Sequence, residues 1–429
     1  MTAGLLIALF VLMFLRVPIG FALAGSCAFV FAFLHSNPLM FNYLGQAMVT
    51  TADSFPLMAI PFFMLVGSLM SRSGQAAEII NVAEAMTGTM AGGLGAAGIV
   101  ACTIFAAISG SGPAVVAALG GFLIPAMTAR GYAPAYGGAL MAAGATIGPV
   151  IPPSIPMIVY GVSAGTSVVA MFIGGIIPGL LMAGALIAAN WIISRRRGYK
   201  GVQDENAPSL WRVTLEAKWS LLLPVIILGG IYSGMFTPTE AAVVGSVYAL
   251  FVGTVIYRRL NMKLIKEAMV EAGLMSSVVM FIMGGATTFG RLLTIERVPT
   301  MVAEALLAVT SSPVLIMLII LGLLLIGGMF LDTISNIVLF TPLFLPIVKQ
   351  LGYDPVFFGV LMTINLCIGF ITPPVGVNLF VAQSVCKASF NSLIKEAFPF
   401  IAVLLLVMIL VLIFPGIVLF LPKVFGAIM

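Results

Sequence analysis

The chain has 429 residues, of which 61% are hydrophobic and only 8% charged, and a formal net charge of +5. A soluble domain carries roughly 25% charged residues, so this chain has too few polar groups to cover a water-facing surface and reads as an integral membrane protein. Four cysteines (Cys27, Cys102, Cys367 and Cys386) lie far apart in apolar runs, which excludes a disulfide scaffold, and the cations show no nucleic-acid footprint.

The apolar runs are continuous, whereas a membrane barrel would alternate over segments of about 10 residues, so the spans are helices. The N-terminus has no basic region and no small-residue cleavage site, and reads as membrane helix from the start. Apolar segments cover 2–15, 18–35, 54–71, 92–129, 133–163 and 168–194. A polar linker over 195–218 follows, with Arg195, Arg196, Arg197, Lys200, Asp204 and Glu205. The second series covers 219–235, 240–257, 272–292, 313–348, 355–385 and 394–421. Segments 75–90 and 297–311 carry Glu84 and Glu304 among apolar residues and read as interfacial amphipathic arms. Thr237-Pro238-Thr239-Glu240 has the spacing of a capping box with proline at the first helical position, so Glu240 is read as structural. His35, the single histidine, is read as interfacial packing.

The two series are copies of one design. Ile147-Gly148 followed by Pro152-Pro153 recurs as Ile368-Gly369 followed by Pro373-Pro374, an offset of 221 from Ile147 to Ile368. At that offset Pro125 matches Pro346, Gly131-Tyr132 matches Gly352-Tyr353, and Pro134 matches Pro355. The division is therefore an N-terminal repeat over 1–194, a cytoplasmic linker over 195–218, and a C-terminal repeat over 219–429. If 92–129 and 313–348 enter and return on one side, each repeat has five crossings, an odd number, and the repeats are inverted. That parity requires 2–35 to be two helices. With the linker inside, only Arg291, Arg297, Lys349 and Lys423 among the lysines and arginines fall outside, as the positive-inside rule expects. Both termini then lie on the outer face.

Non-helical backbone at membrane depth survives only when buried in protein or lining a cavity. Four stretches call for that explanation: 109–113, 331–336, 148–154 and 369–374. Paired prolines remove backbone donors and free the carbonyls one turn earlier, so their helices break. Matching interruptions in two inverted halves point to a transport site. Freed carbonyls and hydroxyls suit a small hard cation, and broken-helix N-termini suit an anion. Two cation sites are expected, one from Ser109, Ser111, Gly112, Thr146 and Pro149, the other from Thr333, Ser335, Asn336, Gly369 and Thr372. The scarcity of ionisable side chains favours sodium over protons. Asp332 is either an ion ligand or the cap of a re-entrant turn. No phosphate loop, no H-E-x-x-H and no Cys/His cluster occurs, which removes the usual ATPase and intramembrane enzyme readings.

Taken together, several motifs resemble the large membrane subunit of tripartite ATP-independent periplasmic (TRAP) transporters, within the wider ion-transporter superfamily. They are Arg16-Val17-Pro18-Ile19-Gly20-Phe21-Ala22-Leu23, Ser109-Gly110-Ser111-Gly112-Pro113-Ala114, Gly148-Pro149-Val150-Ile151-Pro152-Pro153-Ser154, Thr237-Pro238-Thr239-Glu240-Ala241 and Thr372-Pro373-Pro374-Val375-Gly376. The resemblance implies an elevator-type carrier of the bacterial inner membrane, with a fixed scaffold and a mobile transport domain built from the two hairpins and two broken helices. It implies sodium-driven import of an organic acid, with sialic acid (N-acetylneuraminate) ahead of C4-dicarboxylates, and no cofactor besides the coupling ion. It also implies a small four-helix membrane subunit and a periplasmic substrate-binding protein as partners. In that scheme the substrate carboxylate binds between the hairpin tips, near Ser111, Ser154, Asn336 and Asn378. A carrier or exchanger that needs no binding protein is the alternative.

Overall fold

The computed structural model describes residues 2–35, 38–201 and 209–428, apart from the side chains of 2, 34, 35, 38–40, 76 and 106–109. Asp204, Glu205 and the side chains of His35 and Ser109 lie outside the described residues. Every regular element described is helical.

The chain opens with α1 (Thr2–Phe14) and α2 (Ile19–Val30), the latter continued by a π-helical turn at Phe31–His35. Arg16 at φ 63° ends α1 and Pro18 precedes α2, so the chain folds back and Leu12 meets Gly25. The region 2–35 is thus two helices. Next comes α3 (Pro38–Ala52), in a stretch to which the sequence reading assigned no element. Its Asn42, Gln46, Thr50 and Thr51 dilute the apolar signal, and packing rather than composition holds it in place. A 3-10 turn at Phe55–Met58 leads into α4 (Ala59–Arg72), followed by the arm α5 (Gln75–Thr87). The helices α6 (Gly93–Ser109) and α7 (Gly112–Ala129) form the first hairpin, with Leu123 folded back beside Gly98. A broken helix follows, α8 (Pro134–Gly144) and α9 (Ile155–Ala164), and then α10 (Val168–Arg197).

Part of the linker is helical: α11 (Leu210–Glu216) meets α12 (Lys218–Tyr232) at a bend of 71°. Then come α13 (Pro238–Phe251), α14 (Met262–Ile295) and the second arm α15 (Val298–Val309). At α14 the sequence reading is too short, because 34 residues form one helix and Lys263, Lys266, Glu267 and Glu271 sit on its first turns. The second hairpin is α16 (Pro313–Phe330) with α17 (Thr333–Gln350), folded back so that Phe340 reaches Gly327. The second broken helix is α18 (Pro355–Gly369) with α19 (Val377–Cys386). The last expected span divides at Phe414-Pro415 into α20 (Phe390–Ile413) and α21 (Gly416–Val424), since Pro415 offers no amide to continue the ladder. Among the described residues eight helices are long and apolar enough to cross a bilayer, or nine with the bent pair. The remaining apolar helices are shorter pieces, as hairpins and broken helices require.

The two halves match in backbone detail. Gly131 and Gly352 take φ of 83° and 82°, a left-handed conformation open to glycine. The next amides close the same turn, Tyr132 N to Met127 O and Tyr353 N to Val348 O, both at 3.1 Å. Tyr132 stacks on Tyr136, and Tyr353 stacks on Phe357. Burial pushes both phenols, Tyr132 and Tyr353, above their ordinary pKa.

Inversion is visible where α4 meets α14, the two helices that each precede an arm. Met64 lies against Ser276, Ser68 against Glu271 and Arg72 against Glu267, so the pair runs antiparallel. The packing of the broken helices is crossed: α19, from the second half, lies on α7 and α8, while α9, from the first, lies on α17. One face of α14 packs on α2, α3 and α4, and another meets α17.

Candidate functional site

At the first hairpin the turn between α6 and α7 is possible because Gly110 takes φ 58°. The tip presses on the break of α8–α9, where a side chain at Gly110 would meet Pro153 O and Ile155 N at 3.2 Å. Gly112, at the start of α7, is approached by Asn378: a Cβ there would lie 3.0 Å from its Oδ1 and 3.2 Å from Ala145 O. The Asn378 amide donates from Nδ2 to Ala142 O at 3.1 Å, which orients the group and leaves Oδ1 buried without a hydrogen-bond donor. Asn378 reaches this place because its own amide is held by Phe370 O at 3.0 Å, just after Gly376 turns the chain at φ 62°.

The second tip is organised by Asp332 and Asn336. Asp332 is the N-cap of α17, accepting from Ile334 N at 3.0 Å and Ser335 N at 3.2 Å and, in addition, from the Ser335 hydroxyl. Of its two sequence readings, the cap is the one seen in the geometry. Asn336 donates from Nδ2 to Leu331 O at 3.0 Å, Asp332 O at 2.9 Å and Gly327 O at 3.3 Å. Three carbonyls around one nitrogen fix the orientation, so Oδ1 is the atom left buried without a donor. That oxygen lies where a Cβ on Gly327 would come within 2.5 Å. The next residue, Gly328, packs backbone to backbone on Gly369, where a Cβ would meet the Gly328 carbonyl carbon at 2.6 Å.

The expected residues divide accordingly. Gly112 and Asn378 meet in one cluster with the 145–148 turn, and Asn336 and Gly369 flank the Gly327-Gly328 turn in the other. Thr333 adds a buried hydroxyl with no hydrogen-bond partner. Thr146 and Thr372 hydrogen-bond their own helices, to Ala143 O at 2.6 Å and Ile368 O at 2.7 Å. Ser154 is engaged at both ends, donating to Pro149 O and accepting Met157 N at 3.2 Å as the N-cap of α9. Its part is to hold the break, and Pro149 O accepts this one hydrogen bond with a second lone pair left. One residue escaped the sequence reading: Asn365 on α18, fully buried, donates to Leu321 O at 2.8 Å and keeps Oδ1 without a donor. An asparagine inside an apolar span, one turn before a break, was the available signal.

Cavities flank α14, two of them beside the hairpins. One of about 390 Å³ is lined by Ser111 and Ala114 of the first hairpin and by Ser68, Arg72 and Glu271 across from it. The other, about 260 Å³, lies between Ser163 of α9, Pro342 of α17, and Thr287 and Arg291 of α14. The Arg291 guanidinium rests 4.5 Å over the Tyr43 ring and donates to its hydroxyl at 3.1 Å. Among the described residues no cluster of His, Cys, Asp and Glu has the form of a metal centre.

Comparison with known proteins agrees with this architecture. A solved structure, the YdaH transporter of Alcanivorax borkumensis, aligns with a TM-score of 0.62 at 17% identity, covering 89% of this chain and 90% of that one. At that identity the likeness concerns the fold. The isethionate TRAP transporter permease protein DctMQ of Oleidesulfovibrio alaskensis is 46% identical over 96% of this chain, which spans 65% of that protein's length. The sialic acid TRAP transporter large permease protein SiaM of Vibrio cholerae is 39% identical over 96% of each chain. The C4-dicarboxylate TRAP transporter large permease protein DctM of Pseudomonas aeruginosa is 39% identical over 91% of each. The family model described as tripartite ATP-independent periplasmic transporter, DctM component, matches residues 6–417, and on helices, hairpins and sequence alike the chain belongs to that family of transporter permeases.

Proposed function

We propose that this chain is the carrier subunit of a sodium-driven importer of a small organic anion, working as an elevator in the bacterial inner membrane with both termini outside. The observation that carries the reading is the pair of oriented asparagines, Asn336 and Asn378, each with a buried Oδ1 that lacks a donor and lies against a hairpin glycine. A buried amide oxygen without a partner is costly, about 1–3 kcal/mol, and a bound sodium ion would remove that cost. A small four-helix membrane subunit would brace the scaffold, and a periplasmic binding protein would deliver the acid. The longer isethionate relative leaves room for such a subunit in the part this chain does not cover. Among relatives, names carry isethionate, sialic acid, C4-dicarboxylate and 2,3-diketo-L-gulonate. Sialic acid is therefore one acid among four, and the shared chemistry is an acid group on a small polar body.

The test is uptake of these four labelled acids into proteoliposomes holding the chain and its small partner, under an inward sodium gradient, with and without the binding protein. Uptake of one acid that needs both sodium and the binding protein is expected. Uptake that ignores the binding protein would instead favour the stand-alone carrier. In the same assay Asn336→Ala should lose most of its sodium dependence, and an unchanged sodium response would remove Asn336 from the ion site.

A further inference from the structure

The cavity of about 390 Å³ beside the first hairpin joins two features that the sequence holds far apart. At one end lies Ser111 of the hairpin tip, and at the other the Arg72 guanidinium. Between them the hairpin wall carries small side chains, Ala114, Ala117 and Ala118, which leave the passage open. Arg72 is the single cation among the described lining residues, and 28% of its side chain is exposed.

Its hydrogen bonds are divided in an unusual way. Nη1 donates to Glu267 Oε2 at 2.6 Å, Nη2 to Glu271 Oε2 at 3.0 Å and Nε to Ser68 Oγ at 3.2 Å. The fork is shared among three acceptors, each through one oxygen, and no carboxylate grips it in the bidentate manner that suits it best. Glu271 also accepts from Ser68 Oγ at 2.7 Å, so it keeps a partner if Arg72 turns away. Glu271 itself lines the cavity and is 51% exposed. A carboxylate entering from Ser111 would therefore meet a guanidinium one of whose partners, Glu271, can be replaced while Glu267 stays in place.

We infer that Arg72 is a release site for the transported anion at the face of the carrier that bears the first arm, α5, where the acid group of the cargo takes the place of Glu271 on the guanidinium. The inference rests on the carrier reading above. Glu271 is the built-in competitor: it holds Arg72 between cargoes and returns to it as the acid leaves, so that the cation does not retain the cargo. Electrostatics sets opposite signs for the two groups, since removing Arg72 removes the attraction and removing the Glu271 charge removes the rival.

The experiment is counterflow in proteoliposomes containing the chain and its small partner, with the labelled acid of the four that the wild type carries. Half-saturation is measured from each face. Arg72→Gln should raise the ratio of half-saturation at the α5 face to that at the opposite face at least tenfold, and Arg72→Lys should raise it less. Glu271→Gln should lower the same ratio severalfold. A purely structural ion pair would move both variants the same way, and that result, or no movement in either, would overturn the assignment while leaving the carrier reading intact. If Arg72→Gln does not fold, Arg72→Lys and Glu271→Gln still differ in sign. A wild type that carries none of the four acids would count against the carrier reading itself, and the inference would fall with it.

Discussion

Gly369 and Gly328 touch through their backbones, with a Cβ on Gly369 placed 2.6 Å from a main-chain carbon that cannot swing aside. Gly369→Ala should therefore cost about 1–3 kcal/mol through overpacking and abolish uptake by displacing the second hairpin tip. Gly322→Ala on the same hairpin meets nothing within 4 Å and should be tolerated. Thermal unfolding in detergent compares the two, and equal losses would mean that the close approach does not matter. Other single residues show how local chemistry ends helices here. Every described non-glycine residue with positive φ is basic, namely Arg16, Arg258, Arg297 and Lys387, and each stands at a helix boundary. A left-handed residue costs roughly 1–2 kcal/mol. At the ends of α1 and α19, Arg16 and Lys387 recover part of that from the helix dipole.

The elements that the sequence revealed most clearly were those marked by glycine and proline. The hairpin turns at Gly110 and Leu331-Asp332 and the two proline breaks announce themselves because they contradict an apolar helix. By contrast α3 and the first turns of α14 fell outside the expected spans, since their polar residues lower the apolar signal; α3 lies packed on α14, and Asn261 caps the start of α14. The geometry at the two hairpin tips was half legible. Asn336 and Gly369 belong to a visible motif, but the meeting of Asn378 with Gly112, and of Arg72 with Glu271, joins residues remote in sequence that no local pattern connects. The arm α5 illustrates the same limit. Its Glu78 accepts from Tyr257 and from Ser220 at 3.0 Å, while its Glu84 pairs with Arg130 at 2.7 Å, so one arm is fastened both to the α12–α13 bundle and to the hairpin end. The Arg130 pair is about one-third exposed on each side and should contribute about 0–1 kcal/mol. Tyr257→Phe deprives a better-buried carboxylate of a donor and should cost about 1.5–3 kcal/mol. Chemical or thermal unfolding of Tyr257→Phe beside Arg130→Ala checks the order, and the reverse order would show that the hairpin end is the stronger fastening.

For the whole molecule, side chains such as Phe14, 87% exposed, and Val247, 63% exposed, are acceptable only against lipid tails or a membrane partner. Charge then chooses which way the body stands in the bilayer. In a cysteine-free background, Ser311→Cys should react with an impermeant maleimide in intact cells, and Lys200→Cys only after the membrane is opened. The opposite pattern would turn the orientation over and place the Arg72 cavity on the outer side.

The crossed seating of α9 on α17 and of α19 on α7 reaches beyond the present chain to its origin. Neither half can finish its own hairpin, because the last wall of each comes from the other. A forebear consisting of one half would have been an incomplete body, usable only beside a twin inserted upside down in the same bilayer. Fusing such twins would make permanent a partnership that dilution could otherwise dissolve, and would free the two copies to diverge. Asn378, which stands against Gly112 of the opposite half, would in such a pair have been a contact between two separate molecules.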